Sequence, residues 1–210
     1  LSSMVHNRVL WLGGSACAGK TTTTSRIEED FRFKAYNCDD QMDRHAENAQ
    51  EGSAAYVFKQ VYADDQASRR FYGGSAVDMA EAYAAWGTEV FETIYDDVTA
   101  LSTSSPVIVE GALIPPSILL RKVNPVDVLF VFSTPDFLET MWRERSWYSL
   151  LAQKTDNPQE AFENFVRATA LISERWQDQC NDLGVRMIVT AGRIRIEESY
   201  AEVKRAFGLA

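Results

Sequence analysis

The sequence predicts an α/β protein, a doubly wound three-layer α/β/α arrangement around a mainly five-stranded parallel sheet. Two observations predict it. Residues 14–21 read Gly-Ser-Ala-Cys-Ala-Gly-Lys-Thr, a complete G-x-x-x-x-G-K-[ST] phosphate loop. It lies between an apolar β-type run (9–12) and a stretch that can wind as a helix (22–31). Further on, β-type runs alternate with segments whose apolar residues recur at spacings of three and four. That is the pattern of a parallel sheet wound with helices on both faces.

The β-type runs are 9–12, 33–38, 107–109, 126–132 and 186–189. The last three are near-continuous apolar runs, as strands covered on both faces should be. Residues 77–101 place Met79, Tyr83, Trp86, Val90, Phe91, Ile94 and Val98 at helical spacing. Residues 159–182 do the same with Phe162, Phe165, Val166, Ile172 and Trp176, and 196–207 with Ile196, Tyr200, Val203 and Phe207. Residues 45–76 are polar and rich in small residues and read as helix plus loop. Residues 102–106 form a turn cluster, and Asn157-Pro158 resembles a helix start. No internal repeat or low-complexity segment appears, and 1–210 reads as a single domain.

Composition narrows the function classes. An apolar share of 46% permits a real core. The formal charge of −9 argues against a broad basic surface for nucleic-acid backbone and leaves room only for a local basic groove. Cys17, Cys38 and Cys180 are widely spaced, which suits a reducing, cytoplasmic setting and gives neither a disulfide framework nor a zinc knuckle. With two histidines, a histidine-rich metal site is not expected. No apolar stretch approaches the ~20 residues of a membrane helix, and the start has no secretory pattern.

The loop's residue types follow from its chemistry. Gly14 and Gly19 let the backbone take conformations that a Cβ forbids. The amides of Ser15, Ala16, Cys17 and Ala18 can then converge on an anion, helped by the helix start near Gly19. Lys20 brings a positive charge to the β- and γ-phosphates. Thr21 offers a hydroxyl to Mg²⁺, and Thr22 could bond the α-phosphate. Cys17 sits where a thiol pKa could fall, although filler is the simpler account of a variable position.

Other candidates lie just after strands. Asp39 and Asp40 follow the second β run. Asp39 is the preferred base for a substrate hydroxyl, with Asp40 as the alternative or a holder of substrate or metal; either could instead be only a helix cap. Glu110 ends the third run and could hold Mg²⁺, or be a strand-end charge. Arg143 and Arg145 follow the fourth. Their guanidinium forks suit phosphoryl oxygens, but residues two apart share a helix face only if the helix ends or bends there. Trp142 nearby could be a stacking wall or core. Arg44 and Arg69 are candidates for holding substrate, and Arg193, after the fifth run, for stacking on adenine.

Gly14 to Thr21, the acidic step Asp39-Asp40, and Ser133-Thr134-Pro135-Asp136 leading to Arg143 and Arg145 together resemble the kinase branch of the P-loop NTPases. The likeness is to small-molecule kinases such as chloramphenicol phosphotransferase, gluconate and shikimate kinases, and the kinase half of polynucleotide kinases. It implies ATP and Mg²⁺, with Asp39 as base or substrate holder and Arg143 and Arg145 on a lid. It also implies a helical substrate-binding segment at 45–106 and lid helices at 140–182. The expected partner is a small-molecule acceptor with a hydroxyl. GTPase signatures are missing: there is no N-K-x-D, and Glu110-Gly111 stands where D-x-x-G would be. A regulatory nucleotide-binding module with little turnover and a polynucleotide end kinase are the alternative readings.

Overall fold

Alternation along each strand decides which layer its side chains join. In β1 (Val9–Gly14), Trp11 points to one side of the sheet while Leu10 and Leu12 point to the other. In β3 (Val107–Glu110), Val107 and Val109 accompany Trp11, and Ile108 accompanies the leucines. In β4 (Val128–Ser133), Val128, Phe130 and Phe132 take the first side, and Leu129 and Val131 the second. The period of two thus feeds two apolar layers, one on each face. With β2 (Lys34–Asn37) and β5 (Met187–Thr190) the sheet is entirely parallel, in the order β2-β3-β1-β4-β5. The structure is a computed structural model that describes residues 8–47, 49–190 and 196–209.

The second face is covered by α1 (Lys20–Phe31) and α10 (Ile196–Phe207), through Ile27, Tyr200, Val203 and Phe207. The first face carries the larger helical layer. Its chief members are the long α5 (Ala76–Ser102) and α9 (Pro158–Leu183), which pack on each other. Trp11 on the sheet lies near-parallel to Tyr95 of α5 at 6.4 Å between ring centroids. Around these two helices lie α2 (Met42–Glu47), α3 (Ala54–Ala63), α4 (Asp65–Tyr72), α6 (Pro116–Leu119), α7 (Pro135–Glu144) and α8 (Trp147–Lys154). No described helix is long and apolar enough to cross a membrane.

Three details depart from the sequence reading. Residues 45–76 hold several helices where helix plus loop was expected. The polar residues that suggested a loop are the caps: Ser53 accepts from Tyr56 N, Asp64 from Ala67 N and Ser75 from Asp78 N. The fourth strand begins at Val128, because Asn124 and Pro125 turn residues 125–127 into a 3₁₀ turn. The fifth is an edge strand with Val189 47% exposed, so its apolar run is not covered on both faces.

The chain leaves β1 for one side of the sheet and later returns to the other, so β1 stands at the switch point, where crevices open beyond the carboxyl ends. Gly14, Asn37, Glu110 and Ser133 end four neighbouring strands there.

Candidate active site

The phosphate loop is fastened to the end of β4. Gly14 has φ +124°, and a Cβ there would lie 1.9 Å from Val131 O, so both conformation and space demand glycine. Ser15 N donates to Val131 O at 3.0 Å. Ser15 Oγ accepts from Ser133 N at 2.7 Å and pairs with Ser133 Oγ at 2.9 Å, which in turn donates to Ala16 O at 3.2 Å. Cys17 (φ 60°) and Gly19 (φ 79°) are left-handed. This backbone turns successive amides inward, and α1 begins at Lys20 with its free N–H groups behind them.

Lys20 is 6% exposed, and its Nζ donates to Ser15 O at 2.7 Å. Burial pushes its pKa down, against the charges of Glu110 and Asp39, which hold it up. An ammonium carries three donors, and one is spent on the loop; an anion suits the rest. Thr21 Oγ1 donates to Glu110 Oε1 at 2.7 Å, and Glu110 is 4% exposed. Burial raises the Glu110 pKa against Lys20 and the Thr21 bond. These two hard oxygens fit Mg²⁺, which takes one or two protein oxygens and completes its shell with phosphates and water. Among the described residues no cluster of three or more His, Cys, Asp or Glu forms a protein-only metal cage.

Asp39 opens a 3₁₀ turn, Asp39–Gln41, directly beyond β2. Asn37 Oδ1 accepts from Asp39 N at 2.8 Å, so the side chain bonding this turn's first amide is that of Asn37. Protein crowds Asp39, although its surface still meets solvent through the cleft mouth. That crowding and the charge of Asp40 raise its pKa, while Lys20 and Arg145 draw it down. The Cys17 thiol is pushed up by burial, more than Arg145 and Lys20 lower it, so the loop does not make it a thiolate.

The two lid candidates part company. α7 ends at Glu144, and Arg145 leaves it with extended backbone. Arg145 stacks over Trp142 at 5.3 Å, and its charge reaches Asp39 and Cys17. Arg143 stays on the helix, paired with Glu139 at 2.7 Å and lying over Phe162. Arg44 pairs with Asp97, and Arg69 with Asp156 on the surface. Thr22 is exposed on the first turn of α1, and Arg193 lies outside the described residues.

No protein-family model matches this chain, and no curated protein does. Solved structures do. A shikimate kinase from Bacteroides thetaiotaomicron aligns over 96% of this chain and 98% of its own, at TM-score 0.50 and 13% identity. A "putative kinase" from Chloroflexus aurantiacus covers the same shares at TM-score 0.50 and 10% identity. The fold is shared with that shikimate kinase. At these identities it is the architecture that is shared.

Beside the phosphate loop lies a cavity of 430 Å³. Ser15 and Ala16 of the loop form one end, with Asp39, Asp40 and Asp43 next to them. Tyr62, Tyr72, Tyr83, Trp142, Phe165 and Ile172 form the walls. Trp142 is core, 6% exposed and edge-on to Phe165 at 4.9 Å, and it also lines the cavity. Its Nε1 donates to Thr169 Oγ1 at 3.2 Å. Burial raises the Tyr62 and Tyr83 phenols, which therefore stay neutral.

Sequence reasoning passed over the three tyrosines, Asp43 and the Ser15–Ser133 clamp. It also passed over a polar knot behind the site. The His45 side chain, 2% exposed, places Nε2 3.1 Å from Asp97 Oδ2, to which Tyr36 Oη donates at 2.7 Å; Arg44 completes the group. Burial alone would raise the Asp97 carboxyl, but bonds from Arg44, Tyr36 and His45 hold it at about 2. Asp43 stood in the acidic step and was open to notice. The tyrosines come from α3, α4 and α5 with no shared motif.

Proposed function

We propose that the chain is an ATP- and Mg²⁺-dependent phosphotransferase that moves the γ-phosphoryl group to a hydroxyl of a small molecule. One observation carries the reading: Asp39 feels the charge of Lys20 and also forms part of the wall of the aromatic cavity. A carboxylate there has a triphosphate site on one side and room for an acceptor on the other.

In this mechanism the loop amides and Lys20 hold the β- and γ-phosphates, and Thr21 and Glu110 would hold Mg²⁺, which would offset phosphate charge. The acceptor oxygen forms a bond to Pγ as the Pγ–O bond to ADP breaks. Asp39 takes the hydroxyl proton and releases it to solvent. Arg145, whose charge already reaches Asp39, neutralises the transferring oxygens. Arg143 is engaged by Glu139, four residues before it on the same helix, and lies over Phe162. Tight orientation beside a preorganised loop supplies most of the acceleration.

The test is acceptor-dependent ADP release from MgATP over a panel of small alcohols. Asp39→Asn should cut that release by about 10²–10⁴-fold and keep MgATP affinity. Retained acceptor-dependent turnover would remove Asp39 as base. MgATP binding without any stimulated turnover would favour the regulatory module. The absence of lysine and arginine among the described residues lining the cavity speaks against a polynucleotide end as acceptor.

A further inference from the structure

We propose that the acceptor is a cationic amino alcohol, with its ammonium held among Asp40, Asp43 and the tyrosine rings while its hydroxyl faces Asp39. The proposal rests on the phosphotransferase reading for its chemistry and on the cavity for its substrate class.

The cavity has a definite sign. Its described lining residues include three aspartates and no lysine or arginine. Elsewhere, the aspartates near basic groups are neutralised: Asp97 by Arg44, Asp127 by Arg8, Asp156 by Arg69 and Asp65 by Lys154. Asp40 and Asp43 have no such partner among the described residues, although Arg44 lies next to Asp43 in the chain. The Arg44 guanidinium is turned away to Asp97 and Gln41. The field of these carboxylates reaches into the cavity, since Asp43 and Asp39 both act on the Tyr62 phenol, and Asp39 on Tyr83.

The walls agree with the sign. Tyr62, Tyr72, Tyr83 and Trp142 contribute aromatic rings to the lining, and the electron-rich centres of such rings attract cations and repel anions. A carboxylate or phosphate in the acceptor would meet three aspartates, with no lysine or arginine among the described lining residues to receive it. A protonated amine would meet charge and ring faces together. It has no lone pair for attack, so the phosphoryl group goes to the hydroxyl, whose proton Asp39 accepts. Leu113, Ile172 and Phe165 make room for an apolar ring or chain beside these groups.

Three probes with a shared phenyl ring and benzylic hydroxyl separate the classes: phenylethanolamine (ammonium), phenyl glycol (neutral) and mandelate (carboxylate). ADP release from MgATP is measured with each. Calorimetric binding is measured with each in the presence of a non-hydrolysable MgATP analogue. The expected result is a kcat/KM at least tenfold higher for phenylethanolamine than for phenyl glycol, with mandelate weakest. Added salt should raise the KM for the amine and leave that for the glycol unchanged. Asp43→Asn should raise the amine KM about fivefold, a loss of about 1 kcal/mol, with Asp43→Glu restoring part of it. The MgATP Kd of each variant reports whether it has folded.

Glycol or mandelate used as well as the amine overturns the cation assignment and leaves the phosphotransferase standing. Selective binding of the amine without any phosphoryl transfer supports the cavity assignment and overturns the phosphotransferase. No selective binding or turnover of the amine overturns the inference.

Discussion

At the scale of single residues the site works by shifting groups away from their ordinary ionisation. The proposed reaction needs Asp39 deprotonated and Lys20 protonated. Crowding by surrounding protein moves Asp39 up from 3.8, and burial moves Lys20 down from 10.5. The pH profile of kcat/KM should therefore rise through Asp39 above the ordinary carboxylate range and fall through Lys20 below the ordinary amine range. Steady-state rates across pH check this, and an acid limb that persists in the residual activity of Asp39→Asn would assign it elsewhere. That variant should lose about 10²–10⁴-fold in kcat, with the MgATP Kd unchanged. Gly14→Ala faces two separate obstacles, φ +124° and a Cβ placed 1.9 Å from Val131 O. A loss of about 3 kcal/mol in urea unfolding is expected from strain and overpacking together.

At the scale of elements, close approach and buried polar contacts decide how the helical layer sits on the sheet. Gly87 lies within α5, where alanine would raise helix propensity by ~1 kcal/mol. A Cβ there, however, would meet Leu113 O at 2.1 Å. Relief requires backbone movement costing ~1–3 kcal/mol, so the clash wins. Gly87→Ala should lower the Tm and, by pushing α5 off the 111–114 segment, raise the acceptor KM more than the nucleotide KM. The Asp97 knot ties α5 to β2 and α2. The folded carboxyl lies at about 2 against an ordinary 3.8, so its contribution is present above pH ~4 and is lost as pH falls through about 2. Asp97→Asn should thus cost about 1–3 kcal/mol at neutral pH and progressively less toward pH 2. Thermal melts of both proteins across that range measure the difference.

At the scale of the molecule, the strand order β2-β3-β1-β4-β5 puts the phosphate loop between crevices on both sides of β1. The triphosphate site is built from the strand ends, and the acceptor cavity from the helical layer over one sheet face. A ligand in the loop joins β1, β3 and β4, so MgATP at one hundred times its Kd should stabilise the chain by about 2.7 kcal/mol. A thermal-shift titration detects this, and Lys20→Ala should remove it. A melting curve unmoved by MgATP would remove the foundation of the proposed chemistry.

The phosphate loop was legible because its chemistry is local: one strand, eight residues and one helix start, where glycine positions and Lys20 follow from backbone geometry alone. The five strands and the long helices were legible for the same reason, since periods of two and of three to four are written along the chain. Tertiary structure alone decided that Arg145 leaves the helix and lies over Trp142, with its charge reaching Asp39, while Arg143 pairs with Glu139. It alone brought Tyr62, Tyr72 and Tyr83 to one wall, each from a different helix. It also turned Arg44 to Asp97, leaving Asp40 and Asp43 at the cavity without an ion-pair partner among the described residues. These outcomes depend on how helices pack on one another, which brings together residues far apart in the chain and leaves no periodic trace in the sequence.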